Sequence, residues 1–479
     1  MKALNLTLLV SALVLSTTVI AAPALDTTFN STGKRNIWFD LPTEKWDEAT
    51  DAVVQPDGKI VIVGFARKAP VSGTGDVSDL TVARLNADGS TDTSFASNGK
   101  LSMNLASSGR LNDRANAVAL DSAGRIYVAG NSEKAGFVLR FNANGTLDTS
   151  YAYFGRLTFL DGSANSADFR FEDIAIDASG RAVVVGTQEK ASGSLNEGMV
   201  LRLLGTGQFD STFTGAPNAG NSIGFRTLSL LYGQAYNDEI KRVAIAADGS
   251  IYAAGSFQGI GNDFDFMVYK LNGANGALVQ SFGAGGIARN YMDQGDKYDR
   301  LADMKLLPNG NLRLLGNCRV TGLAQTRGCL VGLTASGAYD SAFNSLQAGT
   351  SFRSFPLNAE CNGYGGEARA LLSYGSSGNR IAVVGEQRPQ FSTACNAVSA
   401  MAIQTHTDTL GHDLCSVGNN TGYLATTVCN GSYLTLTYSS LGSWANGAAL
   451  DAQGRLIVLG VGVLSATDTD QASVRIIGY

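Results

Sequence analysis

One pattern recurs seven times along this 479-residue chain and restricts it to a repeat architecture: an apolar run, a tight glycine turn, and a second apolar run that closes on glycine. The copies read DAVVQPDGKIVIVG (51–64), NAVALDSAGRIYVAG (116–130), DIAIDASGRAVVVG (173–186), RVAIAADGSIYAAG (242–255), DMKLLPNGNLRLLG (303–316), ALLSYGSSGNRIAVVG (370–385) and GAALDAQGRLIVLG (447–460). Their turn glycines, Gly58, Gly124, Gly180, Gly249, Gly310, Gly378 and Gly454, lie 66, 56, 69, 61, 68 and 76 residues apart. In six of the seven copies the closing glycine follows six residues later. A second pattern follows most copies, as in VARLNADGSTDTSF (82–95), VLRFNANGTLDTSY (138–151), VLRLLGTGQFDSTF (200–213) and VGLTASGAYDSAF (331–343). It reads as a strand, a glycine turn, and a further strand led by Asp and an aromatic. Asp-Gly and Asn-Gly between apolar runs mark hairpins, because the turn needs the positive φ that Gly and Asn accept cheaply.

Each unit is therefore expected to hold four strands, a to d. The run IVIV (60–63) is apolar on consecutive residues, as in a strand buried on both faces. Four-stranded antiparallel sheets stacked face to face around an axis meet that condition, so the predicted fold is an all-β, seven-bladed β-propeller. The termini fit the same count. The last unit ends at SVRIIGY (473–479) without a strand d, and LDTTFNSTGKRNIWF (25–39) has the form of one. Counted from Gly454 through both ends to Gly58, with residues 1–24 removed, the spacing is 59, inside the observed range. The N-terminal strand is thus expected to complete the C-terminal blade and remove exposed edges. Arg84, Arg140 and Arg202 stand eight residues before Asp92, Asp148 and Asp210 and predict cross-strand pairs, each contributing about 0.2–1 kcal/mol. The same logic sets Arg475 against Asp26 across the closure. Residues 25–479 read as a single domain, with cysteine-rich, degenerate blades at about 300–440.

The segments QPDGKIVIVG and ARLNADGSTDTSF resemble the bacterial delta-60 repeat, and strands a and b are similar to NHL-type propeller blades. The resemblance runs over nearly the whole chain after residue 24. It weakens in blades five and six, where HTDTLGHDLCS (406–416) has lost the turn pattern. It implies a secreted or surface propeller with strand a innermost, and it carries fold and location rather than an activity.

Residues 1–24 read as a secretory signal: Lys2, an apolar stretch from Leu4 to Ile20, then Ala21, Ala22 and Ala24 around Pro23. Export, secreted or periplasmic, is the expected location. Without Lys2 the chain carries 35 basic and 41 acidic residues, which argues against nucleic acid or an anionic membrane as partner. No later segment reaches 18 unbroken apolar residues, so a membrane span is not expected, and a monomer is. In an oxidising compartment the six cysteines predict disulfides, with neighbour pairing Cys318–Cys329, Cys361–Cys395 and Cys415–Cys429 preferred. The competing zinc site lacks any CxxC spacing.

Eleven residues before the turn glycine stand Asp47, Asp113, Asp238, Asp299 and Glu367, with Asp168 one position off. Read as a ring at the mouth of a central channel, these carboxylates could hold Ca²⁺ through oxygen ligands. Read structurally, they pair with neighbours such as Arg114, Arg170 and Arg300 and fix blade register. NADGSTD (86–92) spaces oxygens like a calcium loop, but Leu204-Gly-Thr206-Gly drops them, as a hairpin turn can. Gly220-Asn-Ser222-Ile-Gly224 matches a nucleophile elbow without the required strand–turn–helix context. His406 and His412, the two histidines of the chain, read as parts of surface turns. No catalytic residue and no cofactor other than that calcium is assigned. Two functions stand open. The preferred one is an exported, non-catalytic scaffold binding a protein or glycan ligand on its loop-rich face. The alternative is a cation-dependent hydrolase or lactonase-like enzyme with an acidic site at the channel.

Overall fold

A computed structural model describes residues 24–477 apart from residue 40 and segments 42–44, 69–76, 106–111, 161–167, 190–195, 215–224, 229–236, 260–262, 291–298, 320–325, 345–352, 356–365, 375–379, 388–399, 408–415, 419–425, 429–431, 437–442 and 466–467. Residues 1–23, Ser222, His412 and four cysteines (Cys361, Cys395, Cys415, Cys429) lie outside the described residues. The chain is all-β; among the described residues, helix is confined to the turn Ser341–Asn344. Among the described residues no helix is long and apolar enough to cross a membrane.

Four sheets are plain four-stranded meanders, for example Asp113–Leu120, Ile126–Ser132, Ala135–Phe141 and Arg156–Phe159. A fifth begins with Gly366–Tyr374, Arg380–Gln387 and Ala400–Thr407. A nine-stranded sheet joins Ser443–Leu450, Leu456–Ser465 and Asp468–Ile477 to Lys45–Val54, Ile60–Lys68, Val77–Leu85 and Lys100–Met103. The junction is a two-residue parallel bridge, Lys45 to Asp468 and Trp46 to Thr469. The N-terminal chain lies on the strand Asp468–Ile477: Leu25 pairs with Ile476, and Lys34–Ile37 pairs with Val474 to Gln471. The second strand of each unit is buried on both faces, as IVIV (60–63) requires: Ile60, Val61, Ile62 and Val63 are at most 1% exposed.

The first strand of every unit carries a β-bulge at one place. Ala49 pairs with Gly64, yet the next partner of Val63 is Asp51, so Thr50 is the extra residue. The same shift falls at Asn116, Glu172, Lys241, Ala302, Arg369 and Asn446. This explains the closing glycine. A Cβ on Gly64 would sit 1.9 Å from the Glu48 carbonyl oxygen, so a side chain opposite the bulge is excluded.

The outer strand differs from the sequence expectation. The Asp-aromatic segment is a turn: Asp92 Oδ1 accepts the Ser94 N–H at 3.1 Å and hydroxyl at 2.6 Å, while Phe95 is fully buried. Asp26, Asp148 and Asp210 do the same for Thr28, Ser150 and Thr212. The outer strand begins beyond it, at Lys100, Arg156 and Lys34. The local side chain-to-backbone bond supplies an alternative to the ladder, which the strand-like residue types conceal.

Candidate functional site

Bulging the first strands turns their next residues toward one cavity of about 380 Å³, lined from all seven units. Those residues, seven before the turn glycine in six copies, are Asp51, Ala117, Asp173, Arg242, Asp303, Ala370 and Gly447. Three carboxylates and a guanidinium therefore converge where sequence reasoning proposed nothing. The signal was visible: four quoted repeats begin on these charged residues.

Each carboxylate also ties two units together. Asp51 Oδ2 accepts the N–H of Val118 at 2.9 Å, Asp173 Oδ2 that of Val243 at 2.9 Å, and Asp303 Oδ2 that of Leu371 at 2.7 Å. The bulge side chains do so as well: Asn446 donates to the Ala49 carbonyl at 3.0 Å, Thr50 to that of Ala115 at 2.8 Å, and Asn116 to that of Phe171 at 2.8 Å. Arg242 Nε meets Asp303 Oδ1 at 2.9 Å.

The environments drive these acids apart. Burial, reinforced by the nearby Asp173 charge, pushes Asp51 up to about 7, against the bond from Val118 and the charge of Arg242. Burial also raises Asp173, with Arg242 opposing. For Asp303, burial is outweighed by Lys305, Arg242 and the N–H groups of Leu371 and Met304, and its carboxyl is held below the usual range. Divergent carboxyls in one enclosure are the ordinary starting point for acid–base chemistry. Glu172 lines this cavity and an adjoining one of about 310 Å³, and its Oε1 accepts from Lys241 Nζ at 3.1 Å.

The six acids expected at the channel mouth line neither cavity. Asp47 and Asp113 are buried, and each Oδ2 accepts a backbone N–H from the chain leaving a preceding outer strand: Phe39 at 2.5 Å and Leu105 at 2.7 Å. Asp238 and Asp299 are buried at the same position. Asp168 lies 3.7 Å from Lys134, and Glu367 pairs with Arg369 at 2.5 Å. Among the described residues no three His, Cys, Asp or Glu side chains group as a metal site.

Arg475 Nε stands 2.7 Å from Asp26 Oδ2, and Cys318 is disulfide-bonded to Cys329. The Arg475 guanidinium stacks on Phe29 at 4.8 Å and donates to the Ala87 carbonyl in the first unit. Arg84, Arg140 and Arg202 repeat this clamp, each on its own Asp and aromatic ring and on the next unit's turn carbonyl, of Ala143, Gly205 and Gly273. One clamp was missed. Asp340 takes its cation from the neighbouring strand: Arg313, paired across from Gly332, meets Asp340 at 2.9 Å and stacks on Phe343 at 4.2 Å. A Cβ at Gly332 would strike that ring at 2.6 Å.

Segments 55–95 and 124–151 match a family model described as a domain of unknown function (DUF5122) beta-propeller. The match supports a β-propeller without singling out the delta-60 repeat. No curated protein matches the sequence. Among solved structures, the chain is similar to polysaccharide lyase Uly1 at 12% identity (TM-score 0.48, 89% of each chain covered). It is also similar to the GH93 alpha-L-arabinofuranosidase of Fusarium graminearum at 9% identity (TM-score 0.42, 75% of this chain and 92% of that one). A NanB sialidase mutant from Streptococcus pneumoniae shows 10% identity (TM-score 0.40, 92% and 70%). The preferred expectation of a non-catalytic scaffold is corrected here. It leaned on the lack of a catalytic constellation as well as on architecture, and the inner-strand cavity gathers Asp51, Asp173, Asp303 and Arg242, with Asp51 raised and Asp303 lowered by their surroundings.

Proposed function

We propose that the protein is an exported hydrolase: a monomeric, seven-bladed β-propeller, closed by its N-terminal strand, with its reaction centre in the inner-strand cavity. The observation that carries this is the set of carboxyls in the cavity of about 380 Å³ whose surroundings raise Asp51 to about 7, so that its acid and base forms coexist near neutrality, and keep Asp303 ionised. In hydrolysis of a glycosidic or lactone bond, Asp51 donates its proton to the departing oxygen. Glu172 removes a proton from the attacking water, which adds to the carbon left behind. Asp303 and Arg242 hold the inner strands in register and neutralise each other. The polar lining, Thr50, Asn116, Lys241 and Asn446 across the two adjoining cavities, suits a hydroxyl-rich substrate of one or two rings.

The test is a panel of chromogenic glycosides and lactones assayed with the purified chain lacking residues 1–24, beside Asp51→Asn and Glu172→Gln. Turnover lost in both variants, with folding intact by circular dichroism, is the expected result. Equal turnover in all three proteins, or none on any substrate, overturns the proposal.

A further inference from the structure

Away from the cavity, a groove of about 270 Å³ runs between the outer strand Lys34–Ile37 and the first unit, lined by Arg35, Trp38, Thr91, Asn98 and Lys100 among others. It exists because the N-terminal chain is seated on the strand Asp468–Ile477, which brings residues 35–38 beside residues 91–100. Trp38 is 48% exposed. Lys100 Nζ lies 5.4 Å and Arg35 Cζ 6.0 Å from its ring centroid.

These two cations differ from every clamp arginine. Arg84, Arg140, Arg202, Arg313 and Arg475 all stack on a ring and carry an aspartate. Among the described residues Arg35 and Lys100 have no carboxylate partner; Arg35 donates to Thr91 Oγ1 at 2.5 Å and Asn30 Oδ1 at 3.4 Å, and Lys100 to the Trp38 carbonyl. Neutral acceptors fix their direction and leave the charge uncompensated. An accessible indole beside two uncompensated cations, with Thr91, Thr93 and Asn98 at hand, matches one ligand chemistry. The apolar face of a sugar ring covers the indole, its hydroxyls meet the Thr and Asn side chains, and an anionic substituent meets the guanidinium and ammonium.

We propose that this groove binds an anionic oligosaccharide, bearing carboxylate or sulfate, independently of the hydrolytic cavity. The net-acidic chain makes a basic groove a local feature rather than part of a broad cationic face. The test uses the chain lacking residues 1–24 as the Asp51→Asn variant, so that turnover cannot interfere. It is titrated with trigalacturonate, a heparin tetrasaccharide, maltotriose and sodium sulfate, followed by tryptophan fluorescence and calorimetry. Saturable binding is expected for trigalacturonate or the heparin fragment, roughly tenfold weaker after Trp38→Ala or Lys100→Gln, and weakened by added salt. Carboxylate or sulfate recognition is told apart by which of the two binds. Both substitutions lie at the surface, and circular dichroism checks that the fold survives. The proposal is overturned if neither acidic sugar saturates, if both variants bind as tightly as the parent, or if maltotriose or sulfate alone binds equally well.

Discussion

Replacing Arg475 by Met tests whether the N-terminal chain locks the last sheet. Arg475 and Asp26 are 2% and 4% exposed, so the substitution strands a buried carboxylate. It also removes the bonds from the guanidinium to Thr28 Oγ1, at 2.9 Å, and to Ala87. Losing one partner of a buried pair costs about 3–5 kcal/mol. Here Arg455 Nη1 remains 3.4 Å from the same carboxylate oxygen. With that cation left in place, a loss of about 2–3 kcal/mol is expected, at or just below the bottom of that range. Arg140→Met is the control, since it removes the same chemistry between residues eight apart. Urea unfolding should show similar losses for the two variants. Trypsin should separate them. Only Arg475→Met should expose the Lys34 and Arg35 cleavage sites under native conditions, because the Arg475 clamp spans 449 residues and holds a terminus. Adding Asp26→Asn should recover part of the stability by removing the stranded charge. If Arg475→Met leaves those sites as protected as in the parent, the clamp does not fasten the end of the chain.

Asp51→Asn should also change stability in a pH-dependent way. The folded carboxyl titrates near 7 against an ordinary 3.8, so its contribution is full below about pH 4 and lost as pH rises through 7. The rise converts to about 4 kcal/mol, taken as roughly 2 because the side chain keeps some water contact. The variant should come closest to the parent below about pH 4 and exceed it at pH 8 in thermal melts; no difference at pH 8 contradicts the argument. Asp26, Asp148 and Asp210 behave oppositely: hydroxyl, amide and arginine partners outweigh burial and hold them low, so stability falls on acidification below about pH 4. Asparagine at these positions should flatten the acid limb of the melting curve. Gly64→Ala should cost about 2–4 kcal/mol in urea unfolding, since its Cβ would meet a backbone oxygen at 1.9 Å rather than a side chain able to move. Chelator treatment should shift the melting temperature by under about 1 °C, because Asp47 and Asp113 already accept backbone N–H groups; a larger drop would show a bound cation at work.

What the sequence disclosed and what it hid separate along a physical line. Turn glycines, doubly buried second strands and the Arg–Asp spacing of eight are local rules, readable because each acts within one hairpin. The fixed interval to the closing glycine was equally visible, yet its cause was not, because the glycine answers to a carbonyl on the neighbouring strand. That bulge decides which residues of the first strand face the cavity. An unbulged strand alternates faces with period two and would put Asp47 and Asp51, four residues apart, on one face; the extra residue Thr50 between them parts the two, and Asp47, like Asp113, serves the backbone of the preceding outer strand. The bulge leaves Asp51, Asp173, Arg242 and Asp303 on the cavity side. Arg313 makes the same point in the clamps: the fold fixes where the cation must sit beside Asp340 and Phe343, but either of two paired strands can supply it, and a one-dimensional spacing rule sees only one of them. Structural rules within a strand pair are thus legible from composition and interval. A site assembled from one residue of each unit becomes legible only once the register of every pair is known.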